Sequence, residues 1–273
     1  MKVICKITAV IFFLLIAGGC ASSLWIKDRC IMYDPKTRSF IAADKKIPTP
    51  SVPLRVGEKL MYEIRWLGLK AGEATLWVKE IVEYEGRQAY HIQLTVESNA
   101  IISKIYKVKD EVHSFIDCKN FHSLRFEKNL REGGYRCNEI MEYDQESGMG
   151  IYKTPEKKLA MTIPRGSQDA LSCLYYYRFQ NVEIGESVFV DVNADEKNWK
   201  LEIKAIEAQV VEVANQGRFN AFLVEPLAKF KGIFVRKGKL LVWFSADERR
   251  LPLVLKLKFP VIGSLAVVLT NIE

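Results

Sequence analysis

A chain of 273 residues, 49% apolar and 27% charged, is long enough to bury a core without disulfides or metals and too apolar to be a disordered or collagen-like chain. Forty Lys and Arg against 33 Asp and Glu give a formal charge of +7. Six cysteines are too sparse for a disulfide scaffold, and three histidines leave little material for metal or His-based catalytic sites.

The N-terminus reads as an address. Lys2 and Lys6 supply a short positive start, followed by an apolar run from Ile7 to Ile16. That run is about half the roughly 20 residues a membrane-spanning helix needs, so residues 1–19 are expected to be a secretory signal peptide. Ala17, Gly18 and Gly19 before Cys20 have the pattern of a bacterial lipobox, whose cysteine takes a diacylglyceryl thioether and becomes the mature N-terminus. Cys20 is therefore the expected lipid attachment residue. Ala21 and Ser22 follow where an Asp would favour inner-membrane retention, which points to an exported protein anchored in the outer membrane and facing the periplasm. Processing would remove Lys2 and Lys6 from the basic excess.

Residues 20–53 show no sustained period, and Pro48, Pro50 and Pro53 close them; this is expected to be a lipid-anchored tether. From Leu54 the chain alternates with period two. Leu60, Tyr62, Ile64 and Trp66 share one face of a strand, then Ala74, Leu76 and Val78, then Tyr90, Ile92, Leu94 and Val96. A short helical connection is expected near 99–105 and further strands near 106–117, 121–131, 135–144, 149–153 and 157–163. One helix follows, capped by Ser167 and running to Phe179, with Leu171, Leu174, Tyr175 and Arg178 on a stripe. Alternation then resumes over 188–192, 199–213, 219–229, 233–245, 250–259 and 262–272. The fold expected over 54–273 is a single mainly β domain. It would be a strongly curved antiparallel sheet, or an open or closed barrel, of about 10–12 strands with one packed α-helix.

The sequence offers little to a catalytic reading. It contains no G-x-S-x-G, no P-loop and no H-E-x-x-H. His91, His113 and His122 fall in different strands, where nothing in the spacing makes them converge, and no metal or cofactor is expected. The lack of a C-x-x-C excludes a zinc ribbon or thioredoxin-type motif; Cys30, Cys118, Cys137 and Cys173 allow three disulfide pairings in an exported chain and are otherwise read as unpaired thiols. Basic and acidic residues alternate along the strands, so nucleic acid is not an expected partner. Trp66, Trp77, Tyr90 and Trp243 are candidates to line an apolar concavity, although the same rings could fill a solid core.

The run from Gly57 to Gly72 resembles the opening of the exported bacterial family called domain of unknown function 3108. Asp110, Ser114 and Asp117 resemble its D-x-x-x-S-x-x-D segment. Asp169-Ala170-Leu171-Ser172 with Tyr175, Tyr176 and Arg178 looks like its helix, and Gly238 to Trp243 with Asp247 to Pro252 its closing hairpin. The family has no established activity, so the resemblance implies no catalytic residue. The resulting expectation is a non-enzymatic, membrane-anchored envelope protein binding a lipid-like or lipopolysaccharide-like ligand in a β-rich concavity. The alternative is a structural or assembly module that engages an envelope protein.

Overall fold

The computed structural model describes residues 46–47, 54–230, 233–234, 239–259 and 263–273. The expected signal peptide, Cys20, Cys30 and most of the expected tether lie outside them. Seventeen strands and two helices occur among the described residues. In chain order they are β1 (Lys46–Ile47), β2 (Lys59–Trp66), β3 (Leu69–Tyr84), β4 (Arg87–Ser98), α1 (Ala100–Ser103), β5 (Lys109–Asp117), β6 (Ser123–Glu132), β7 (Tyr135–Asp144), β8 (Met149–Lys153) and β9 (Lys158–Thr162). Then come α2 (Ala170–Arg178), β10 (Val182–Glu183), β11 (Ser187–Ala194), β12 (Lys197–Val213), β13 (Gly217–Phe230), β14 (Ile233–Phe234), β15 (Lys239–Ser245), β16 (Pro252–Phe259) and β17 (Gly263–Ile272).

Fifteen strands form one antiparallel sheet in the order β11-β12-β13-β15-β16-β17-β2-β3-β4-β5-β6-β7-β8-β9, with β14 beside β13. The count exceeds the ten to twelve expected: two-residue β14 shows no alternation to read, and the other fourteen strands of the sheet already outnumber that expectation. The C-terminal strand β17 pairs with β2, joining the two ends of the described domain in the middle of the sheet. The period-two pattern does the work anticipated for it. In β2, Leu60, Tyr62 and Ile64 are buried and their neighbours are half-exposed; in β5, Asp110, Val112, Ser114 and Ile116 are buried. Register shifts at Ile64/Arg65, Val78/Glu80, Ala205/Glu207 and Trp243/Phe244 bend the strands, as bulges do in curved sheets.

The sheet curls without closing, leaving β11 and β9 as its edges. Helix α2 packs against β5 and β11, strands from opposite parts of the sheet order, and so sits inside the curve. Ala170, Leu171, Ser172, Cys173, Tyr175, Tyr177 and Arg178 are all buried. The expected single stripe is therefore corrected: a helix enclosed by a sheet buries residues all round, and amphipathicity is the mark of a helix with one wet face. Its N-cap is Asp169, not Ser167. The reciprocal bond decides the start, since Ser172 stands at the third helical position from Asp169, whereas Ala170 would stand there from Ser167.

Candidate functional site

The interior is organised by polar contacts at both ends of α2. At its start, one carboxylate oxygen of Asp169 accepts the amides of Leu171 and Ser172, each at 2.7 Å. The other accepts the hydroxyls of Ser114 and Ser123, also at 2.7 Å. Burial pushes Asp169 upward in pKa, against the pull of these donors. With four hydrogen bonds taken, the carboxylate has no lone pair left for a substrate. Asp117 caps the turn at Lys119 and Asn120, and Asp110 accepts the amide of Arg131. These family-motif residues hold the helix and the β5–β6 connection in place.

At the far end, Arg178 makes a bidentate pair with Glu58 at 2.6 and 3.0 Å and donates to the Arg249 carbonyl at 2.8 and 3.1 Å. Asp247 caps the neighbouring turn through the amides of Arg249 and Arg250. Arg250, fully buried over the Phe222 ring, donates to the Gln180 carbonyl just past the helix. The Tyr175 and Tyr177 phenols end in the core without a hydrogen-bond partner among the described residues.

At the open seam the two ends of the sheet order touch through side chains. Asn198 of β12 donates to the Thr162 carbonyl of β9 at 2.7 Å, and Asn193 of β11 reaches the Met161 sulfur at 3.8 Å. The turn between β11 and β12 carries two ion pairs across the gap. Asp195 meets Lys128 at 3.2 Å and Glu196 meets Lys157 at 2.6 Å. Lys128 is also held by Glu139 at 2.7 Å. Burial opposes the Lys128 charge, but Asp195 and Glu139 outweigh it and raise the pKa. Beneath the turn is a cleft of about 30 Å³ lined by Phe126, Met141, Tyr143, Tyr152 and Ala170 beside these charges. That is room for a water or two. Cys137 donates to Glu139 at 3.0 Å, and burial pushes its thiol up to about 12.

The histidines gather more than their spacing suggested. His91 Nε2 lies 2.9 Å from His113 Nδ1, flanked by Glu80 at 3.3 Å and Glu111 at 3.2 Å. Register explains it: His113 sits opposite Gln93 and His91 opposite Phe115, so the two rings are diagonal neighbours on one face. A strand-by-strand reading without register misses this. His91, His113, Glu80 and Glu111 do not converge on one point, and no group of three or more His, Cys, Asp or Glu placed to hold a metal ion occurs among the described residues.

The four candidate lining aromatics are spread out. Trp66 is exposed at the β2–β3 turn, whereas Trp77 pairs with Lys59 at the other end of that hairpin. Trp77 lies on the half-exposed face of β3, within cation–π distance of Lys59 and Lys79. Tyr90 is buried against Phe121, which meets Phe179 just past α2. Trp243 is buried and donates to Gln209 at 2.7 Å. Cys118, Cys137 and Cys173 are free thiols, with no disulfide among the described residues.

Residues 61–270 match the family described as protein of unknown function DUF3108. The chain belongs to the DUF3108 family. No catalytic activity is indicated by that membership, and no curated protein matches the chain. Among solved structures, a β-barrel-like protein of domain of unknown function DUF1849 from Brucella abortus is similar at 10% identity and a TM-score of 0.54, covering 81% of this chain and 98% of its own. The likeness is one of fold. A candidate exported protein with a YmcC-like fold from Bacteroides fragilis matches at 10% identity and TM-score 0.36, over 83% of this chain and 100% of its own. A candidate lipoprotein from Parabacteroides distasonis matches at 10% and 0.35, over 82% and 99%. The DUF3108 sheet thus shares its curled, barrel-like plan with at least one other family of unknown function.

Proposed function

We propose that this DUF3108 protein is a non-enzymatic, lipid-anchored envelope protein that acts by engaging a partner at its surface. In this reading residues 1–19 are removed, Cys20 carries the lipid, 20–53 form the tether, and the 54–273 domain faces the periplasm from the outer membrane. The observation that carries it is α2, which occupies the concavity a ligand would need, with its side chains buried on all sides. The titratable groups beside it support the reading, because Asp169 and Lys128 are already committed to internal partners. Crosslinking of the full-length protein in its native membrane tests it: a stoichiometric surface adduct is expected. Radiolabelled palmitate should enter the wild type and not Cys20→Ala; equal labelling of both defeats the anchor.

One observation favours a second reading. The seam cleft combines apolar rings with a buried lysine, the pairing suited to an amphipathic ligand with an anionic head. A lipid would have to displace the Asp195–Glu196 turn to enter. Native mass spectrometry of the protein purified from membranes decides between the two readings, since a bound lipid at one per chain would replace the first with the second.

A further inference from the structure

We infer that the end of the half-barrel built from the β2–β3 turn and α1 docks into an anionic lipid bilayer. Five large apolar side chains are exposed there: Trp66 at 41%, Leu67 at 60%, Leu69 at 76%, Ile101 at 73% and Ile105 at 84%. They belong to one patch. The Asn99 side chain donates to the Lys70 carbonyl at 2.7 Å and its amide to the Ala71 carbonyl at 2.9 Å, tying α1 to the base of the β2–β3 turn. The Asn99 side-chain oxygen Oδ1 also accepts the amides of Ile101 and Ile102, which fixes the start of α1.

The turn itself has an unusual residue at its apex. Leu67 and Gly68 both have positive φ, 51° and 85°, in the two-residue connection between Trp66 and Leu69. Asn-Gly or Asp-Gly is the ordinary choice for such a turn, and a left-handed leucine costs about 1 kcal/mol. The chain accepts that cost to present a large apolar side chain at the tip. Apolar surface this exposed and contiguous marks an interaction site.

Charge selects the occupant. Around this end Arg65 pairs with Glu63, Lys70 with Glu73 and Lys109 with Glu97. Lys104 and Lys107, exposed beside Ile105, meet no carboxylate within ion-pair distance among the described residues. An apolar tip with a tryptophan and unneutralised lysines suits a bilayer interface bearing anionic head groups. Two copies meeting through this patch about a two-fold axis would instead bring two patches carrying the same unneutralised lysines together. A tether from Cys20 to Lys46 could reach about 80 Å when extended, against about 27 Å for the length of β2, so an anchored domain can turn this end to the membrane.

The inference rests on export for a membrane to be within reach, but its test does not use the anchor. The full mature chain carrying Cys20→Ala is sedimented with phosphatidylcholine vesicles, with and without phosphatidylglycerol. Binding to the anionic vesicles is expected. Leu69→Asp with Ile105→Asp should weaken it by about tenfold or more. Lys104→Glu with Lys107→Glu should abolish the preference for anionic lipid and its salt dependence. Circular dichroism and Tm should match the parent, because the altered side chains are exposed. No vesicle binding by the parent, binding unchanged by the aspartates, or a dimer that the aspartates dissolve without any vesicle binding would each overturn it. Failure of the palmitate experiment, by contrast, removes the anchor and leaves this result standing.

Discussion

Arg178 grips Glu58 across 120 residues of sequence, with both guanidinium–carboxylate bonds buried. The pair fastens the end of the internal helix to the residue that opens β2, and the same guanidinium binds the Arg249 carbonyl ahead of β16. Three segments that share no local sequence thus meet on one side chain. Glu58→Gln should destabilise the fold by about 3–5 kcal/mol, because it leaves Arg178 charged and buried without its counter-ion. The double variant Glu58→Leu with Arg178→Met should lose less than Glu58→Leu and Arg178→Met, each made alone in the wild type, added together. Urea unfolding of the four proteins checks the relation, and strict additivity would show the pair to be uncoupled.

The other end of α2 makes a second expectation. Asp169→Ala removes the N-cap, worth about 0.5–2 kcal/mol, and strands the Ser114 hydroxyl in the core at about 1 kcal/mol or more, while the Ser123 hydroxyl keeps Ser172 and the backbone amide of position 169 as partners. Asp169→Asn keeps an acceptor for the helix amides and should cost less. Adding Ser114→Ala to Asp169→Ala should recover part of the loss. If both Asp169 variants fall together, the cap and the serine contacts are not separable contributions.

The strands were legible in the sequence because they are half-buried, and burial on one face writes a period of two. β7 and β8 fall at 135–144 and 149–153 as that period predicts. The position of α2 was not legible. Its sequence says only that a helix begins near Ser167; that it starts at Asp169 and lies inside the sheet follows from the cap and from contacts with β5 and β11. The same limit applies to His91 with His113 and to Lys128 with Asp195, which are joined by register and by the approach of two sheet edges. The exposed tip was not legible in the sequence. Alternation placed Trp66 on the inner face, which is correct in phase but runs past the point where the sheet has an inside.

Opening of the seam should be local and salt-linked. Asp195 and Glu196 both have positive φ, 49° and 59°, so the turn is strained and held in part by Lys128 and Lys157. Asp195→Asn keeps a residue that tolerates the left-handed backbone but removes the charge facing Lys128. Amide exchange should rise at the β11–β12 turn by severalfold, with the α2 amides unaffected. Equal acceleration throughout the domain would mean that the turn is part of the global unit and not a separately opening flap.

Buried thiols should be silent in the native state. Burial pushes Cys173 and Cys137 up to about 12, so at pH 8 thiolate is scarce at both. Peptide mapping after brief iodoacetamide treatment should find neither alkylated until urea is added. Native modification of Cys173 in particular would imply that solvent reaches the enclosed helix.

Acid should weaken the fold through two histidines. Burial lowers the pKa of His91, stacked on Phe115 at 4.6 Å; Lys79 and His113 act in the same direction, while Glu80 opposes. Burial likewise lowers His122, whose Nε2 has no hydrogen-bond partner among the described residues. Both folded values lie below the ordinary 6.5, so between them and 6.5 the unfolded chain binds more protons than the folded one. The histidine contribution is therefore complete above pH 6.5 and is lost as pH falls through the lowered folded values. Tm should drop between pH 7.5 and 5, and His91→Gln with His122→Asn should flatten that slope while lowering the plateau above it. A slope unchanged by the double substitution would assign the acid sensitivity to carboxylates. Glu139 is the first to consider: burial raises its pKa, but Lys128 and the hydrogen bonds from Cys137 and Lys128 outweigh that and hold it low. Its contribution is present above about pH 4.3, below most of the histidine window, so the two causes can be told apart by where the curve bends.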